Sequence, residues 1–130
     1  LLGRWSSHAK YRPTDPLEAP RGSLRRDILD QYQELGLEYI PNKGDNSVHA
    51  SASPFEGLVE KLNWLNMNLR KDSFGIALLD AGITRKTIMA WSLDPQVNLP
   101  DGSTSSIFDA LEDLDAEECK QKLVQINKFN

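Results

Sequence analysis

One cysteine, Cys119, stands among the 130 residues, so they can form no disulfide with one another and no thiolate metal cluster. Histidine is nearly as scarce, with only His8 and His49. Neither has a ligand partner at helical or hairpin spacing, so the sequence suggests no metal site and His8 reads as a solvated loop residue. Basic charge is not in excess. A net charge of -4 lays down no footprint for nucleic acid, although Arg21, Arg25 and Arg26 form a local basic patch. No apolar run approaches the ~18 residues that span a bilayer, and no charged-then-apolar signal opens the chain. Nucleic acid and membrane are therefore not expected as partners, and the missing signals favour the cytoplasm. The chain begins at Leu1 without a methionine, which leaves room for an upstream segment of a larger chain.

Hydrophobic residues make up 39% and charged ones 26%, the balance of a chain that folds around a modest core. Residues 1–22 hold Pro13, Pro16 and Pro20 with Gly3 and Gly22, a loop composition. Ser23 then caps a helix whose apolar face is Leu24, Ile28, Leu29, Tyr32 and Leu35, stopped by Gly36. "LEYIPNKGDN" reads as a short extended piece followed by a turn, and "SVHA" as the end of a strand. The clearest helix opens at Ser53, with Pro54 at the first helical position and Glu56 completing a capping box. Its face is Phe55, Leu58, Val59, Leu62, Leu65 and Leu69, flanked by Trp64. Shorter helices are expected over Phe74–Ala81, Thr84–Ser92 and Ser105–Asn127, the last broken near Asp113–Asp115. Pro95 and "NLPDGSTSS" read as loops between them.

His49 stands just ahead of the capped helix, near free backbone N–H groups and the positive end of a helix dipole. Such a place attracts anions, phosphate included, and disfavours imidazolium, which leaves a neutral nitrogen able to attack. Ser51 and Ser53 add hydroxyls. Glu60 follows eleven residues later and reaches His49 only if the chain folds back across the helix. On local features alone, a lone histidine here is more commonly a capping or core-edge residue.

Six ordered elements add to this. They are Leu2-Gly3, Thr14-Asp15-Pro16, Gly22-Ser23-Leu24-Arg25 with Asp27, Asn46-x-x-His49-Ala50-Ser51, Glu60 and Trp64. Together they resemble the second half of the nucleoside diphosphate kinases. That family carries a leucine-glycine, a threonine with Asn/Asp-Pro, and Thr-Ile-Arg-Gly-Asp. Asn-x-x-His-[Gly/Ala]-Ser follows, and then a helix with a glutamate and Leu-Trp-Phe. The spacings from His49 to Glu60 and to Trp64 match without a gap.

The resemblance implies an α+β, helix-rich, partial ferredoxin-like domain over residues 1–70, with residues 71–130 as a helical C-terminal extension packed on it. It implies transfer of the γ-phosphoryl of a nucleoside triphosphate to a nucleoside diphosphate through phosphohistidine at His49. Glu60 would orient the ring and Ser51 would support Glu60. Asn46 would bond the nucleotide sugar, Thr14 and Arg25 would contact phosphates, and Mg²⁺ would enter with the nucleotide. Members of the family are generally oligomeric. The alternative is a non-catalytic domain of the same descent that serves as an assembly or interaction module.

The sequence also departs from the family. The family's phosphate-binding lysine, nucleotide-binding helical hairpin and tyrosine precede its leucine-glycine, so they would lie upstream of Leu1. Nine residues separate Gly3 from Pro13, and Arg25 lies 24 residues before His49, further than in compact members. Ala52 stands where an aspartate is common, and residues 66–130 match nothing in the family pattern. Elsewhere the residues read as structural. Asp109, Glu112, Asp113, Asp115, Glu117 and Glu118 lack the glycine and ligand spacing of a calcium loop and form a solvated face. Trp5, Trp64 and Trp91 read as packing residues, and Cys119 as a half-buried helix position.

Overall fold

The computed structural model describes residues 13–130. The chain divides between Ala50 and Ser51 into two compact units. The second unit has one core that spans residue 70, where the sequence reading starts the C-terminal extension packed on the same domain. Leu69 and Leu78, on either side of residue 70, belong to one buried cluster. A Cβ built on Gly75 would stand 2.6 Å from the Leu69 carbonyl oxygen, so these segments lie closer than any larger residue permits. Residues 51–70 and 71–130 are one packing unit.

In the first unit, the Asp15 backbone carbonyl accepts from Glu18 and Ala19, and its carboxylate from Leu17 N at 2.9 Å. This turn leads into α1 (Leu24–Asp30), where Ser23 Oγ accepts from Arg26 N as N-cap. α1 is shorter than the sequence suggests. Gln31 leaves helical geometry at φ -116°, and the chain then closes a further turn that ends at Gly36. The expected apolar face is therefore only partly used: Leu29 is buried, but Leu24 and Leu35 are more than half exposed. Arg25 takes the other inward position at 5% exposure. Beyond Gly36 the expected extended piece and strand end are absent, and no strand occurs between Leu37 and Ala50. Two asparagines hold turns there instead: Asn42 Oδ1 accepts from Gly44 N and Asp45 N, and Asn46 Oδ1 from Val48 N at 3.1 Å.

The second unit begins with α2 (Pro54–Trp64), where Ser53 Oγ accepts from Glu56 N as the sequence suggests. The reciprocal bond differs, because Glu56 Oε2 accepts from Ala52 N at 2.7 Å, one residue before the cap. Phe55, Leu58 and Val59 are buried, but the stripe ends early. α2 stops at Trp64, Asn66 takes a left-handed φ of 48°, and Trp64 and Leu65 are about 70% exposed. Trp64 is thus no core residue. Leu69 re-enters the core on a 3-10 turn, Leu69–Lys71.

α3 (Ser73–Asp80) is capped by Asp72, whose Oδ1 accepts from Phe74 N and Gly75 N at 2.9 and 3.0 Å. It ends in a Schellman turn: Gly82 N donates to Leu79 O and Ile83 N to Leu78 O, with Gly82 at φ +87°. Ile83 and Leu78 are both buried there, the apolar contact that usually accompanies this ending. Thr84 at once caps α4 (Arg85–Trp91). "NLPDGSTSS" is not a plain loop. β1 (Gln96–Asn98) pairs antiparallel with β2 (Thr104–Ser106), in register Gln96 with Ser106. Pro100, Asp101 and Gly102 form the turn between them, with Gly102 N donating to Leu99 O. α5 (Ile107–Leu111) and α6 (Ala116–Phe129) are separated at Asp113, φ 62°, where the sequence places the break. Asp115 and Glu118 form a full capping box on α6. Among the described residues the chain is thus helix-rich with one small antiparallel sheet, a coarse α+β composition.

Asp72 ties two helices of this core. Burial by itself would raise its carboxyl pKa. The Lys61 ammonium, 2.8 Å from Oδ2, and the Gly75 and Phe74 amides outweigh that and hold it below the usual carboxylate value. A lowered native pKa contributes stability that is whole above the unfolded value, about 4, and fades as pH falls through the lower native one. Lys61 is half exposed, so solvent screens part of its contribution to the effect. Asp72→Asn should unfold at lower urea by about 1–2 kcal/mol at neutral pH. The gap between variant and wild type should narrow below pH ~4, as read by urea titration across pH.

Candidate functional site

Backbone carbonyls of the first unit set the position of the chain just before His49. Arg25 projects inward from the first turn of α1, and its Nη1 donates to Pro13 O at 2.9 Å. Its Nη2 donates to Val48 O at 3.2 Å. One guanidinium so ties the opening loop, α1 and the residue before His49. Its Nε is buried with no hydrogen-bond partner. Burial lowers the guanidinium pKa from its ordinary value, yet the group stays protonated at neutral pH. Asn46 adds a second restraint through its turn onto Val48 N. His49 follows as an exposed residue at the end of the unit.

These contacts bear on the sequence expectations. Arg25, expected on phosphates, has both terminal nitrogens on main-chain carbonyls. Asn46, expected on a nucleotide sugar, has its side-chain oxygen in a local turn. Thr14 is exposed in the opening loop. Leu2, Gly3, Trp5 and His8 lie outside the described residues.

The second unit contributes Ser51 and Glu60. Ser51 Oγ donates to Glu60 Oε2 at 2.5 Å, a short hydrogen bond onto a carboxylate. A Cβ built on Gly57 would stand 3.5 Å from that hydroxyl, so Ser51 lies against the first turns of α2. Glu60 is half-buried, one helical turn beyond Glu56. Glu56 is the residue the sequence reading missed. Its bond to Ala52 N braces the segment that carries Ser51, whereas Ser-x-x-Glu suggested only a helix cap. Each of these carboxylates has an oxygen committed to holding the 51–52 segment. An oxygen of Glu56 and one of Glu60 lie within 4.8 Å of each other.

The remaining reactive groups serve the fold. Cys119 is fully buried rather than half-buried, and burial against α2 pushes its thiol up to about 12. The acidic run is used in helix ends: Asp115 and Glu118 cap α6, and Glu117 pairs with Lys120 at 2.7 Å. Trp91 packs edge-on to Phe55, with ring centroids 6.3 Å apart. No protein-family model, no curated protein and no solved structure matches the chain.

Two measurements follow from this geometry. Ser51→Ala and Glu60→Gln should each cost about 1 kcal/mol in urea unfolding, and the double variant less than the sum, because they share one bond. The Cys119 thiol should resist a disulfide reagent at pH 8 in the folded protein and react as soon as the chain is unfolded.

Proposed function

We propose that this chain carries the histidine-bearing half of a nucleoside diphosphate kinase-type site, with His49 as the residue that holds the phosphoryl group. The observation that supports the reading is the Ser51–Glu60 hydrogen bond at 2.5 Å. It joins the two residues that the resemblance pairs in support of the histidine, and Ser51 follows His49 by two positions. A ring nitrogen of His49 attacks the γ-phosphorus of a nucleoside triphosphate, and the bond to the β-phosphate oxygen breaks. The nucleoside diphosphate leaves, and a terminal oxygen of a second diphosphate then takes the phosphoryl from the histidine. Mg²⁺ arrives with the nucleotide and neutralises its phosphates. On this reading residues 1–70 derive from a ferredoxin-like domain, residues 71–130 are a helical addition packed on it, and the ligands are nucleoside di- and triphosphates in the cytoplasm.

A second reading has its own support. Arg25 is 5% exposed, and its two terminal nitrogens bond to Pro13 and Val48 carbonyls. A phosphate-binding arginine turned to structural use suits a domain that keeps the family's framework as an assembly module without its chemistry. The test uses the full-length native protein and nucleoside triphosphate labelled at the γ-phosphate. Wild type should acquire acid-labile, base-stable label and pass it to added GDP, and His49→Ala should acquire none. Folded, unlabelled wild type would leave the module reading in place of the enzyme.

A further inference from the structure

Four of the eight basic residues between positions 51 and 130 are Arg70, Lys71, Arg85 and Lys86. Two stand on the 3-10 turn after α2 and two on the first turn of α4. The Schellman turn at Gly82 reverses the chain between α3 and α4, and Arg85 opens α4 three residues after it. A pocket of about 210 Å³ is lined by Asn68, Leu69, Arg70, Leu79 and Arg85. Leu69 is buried and Leu79 partly so. The lining is therefore mostly apolar, and Asn68, Arg70 and Arg85 are the lining residues that carry polar side-chain ends.

Elsewhere in this unit lysines meet acids: Lys61 pairs with Asp72 and Lys120 with Glu117. Among the described residues, no hydrogen bond or ion pair engages the side chain of Arg70 or of Arg85. Two like charges beside a low-dielectric apolar wall repel each other, and an anion seated between them relieves that repulsion while accepting forked N–H donors. We propose that this pocket binds a small amphipathic anion: a carboxylate or phosphate head held by Arg70 and Arg85, on a short apolar body lying against Leu69 and Leu79. The volume sets the size of the guest. Drug-sized sites run from about 300 Å³ upward, so a body of a few carbons is what fits. The site is formed within the second unit and is independent of any chemistry at His49.

The test follows the backbone amide resonances of Asn68–Lys71 in the full chain during titration with butyrate, butyl phosphate and butylammonium. Butyrate or butyl phosphate should shift them saturably in the millimolar range, and butylammonium should not. Whichever of the two anions binds tighter identifies the head group. Arg70→Gln and Arg85→Gln should each weaken that binding about tenfold. Lys120→Gln, on α6, should leave it unchanged. Amide shifts of α6 in each variant report whether the fold is intact. Saturable binding of butylammonium, absence of saturation with both anions, or affinity unchanged in a folded Arg70→Gln, Arg85→Gln double variant would overturn the proposal.

Discussion

Phe55 is the side chain on which the second unit depends. It is fully buried on the first turn of α2 and meets Trp91 of α4 and Phe108 of α5 edge-on, at ring-centroid distances of 6.3 and 6.1 Å. Its backbone also faces the thiol of Cys119 on α6. One ring therefore sits where α2, α4, α5 and α6 converge, and edge-to-face geometry fixes their relative rotation more tightly than aliphatic contacts do. The caps around α2 serve that placement. Ser53 and Glu56 hold the helix start at both ends of one turn, so Phe55 enters the core in a fixed direction.

Much of this unit was legible in the sequence because its signals are local. Ser53-Pro54, Asp72, Thr84 and Asp115 are caps whose hydrogen bonds lie within three residues, and each starts a helix. The break before α6 was legible too, since Asp113 to Asp115 interrupts the apolar spacing. What stayed hidden depended on partners distant in sequence. The β1–β2 hairpin has Thr104, Ser105 and Ser106 for one strand, with Val97 as its buried apolar residue. Its signal was the Pro-Asp-Gly turn, which outweighs hydrophobic alternation here. α1 misled for the opposite reason. Its leucines suggested a core face, yet Arg25 holds the inward position through carbonyls at residues 13 and 48, contacts no periodicity can reveal.

At the candidate site, the ordered motif elements brought forward residues that the fold then uses in different ways. Ser51 and Glu60 share a bond, as their pairing in the motif implied. Arg25 and Asn46 turn their polar groups onto the main chain at Val48, the residue before His49. A motif records residue type and order, whereas the hydrogen-bond partner records what the side chain does in the fold. A guanidinium beside a nucleotide and one beside two carbonyls leave the same letter in the sequence.

The last residue, Asn130, joins the end of α6 to the hairpin. Its carboxamide oxygen accepts from Asn98 N at 2.9 Å, and its nitrogen donates to Asn98 O at 3.0 Å, so the side chain pairs with β1 as a neighbouring strand would. That pairing covers polar groups on the outer edge of a two-stranded sheet, an edge otherwise open to another chain. The helix end and the strand are 32 residues apart, so this protection exists only once α6 has docked. Until α6 docks, that hairpin edge is bare, and an unpaired strand edge is open to pairing with another chain.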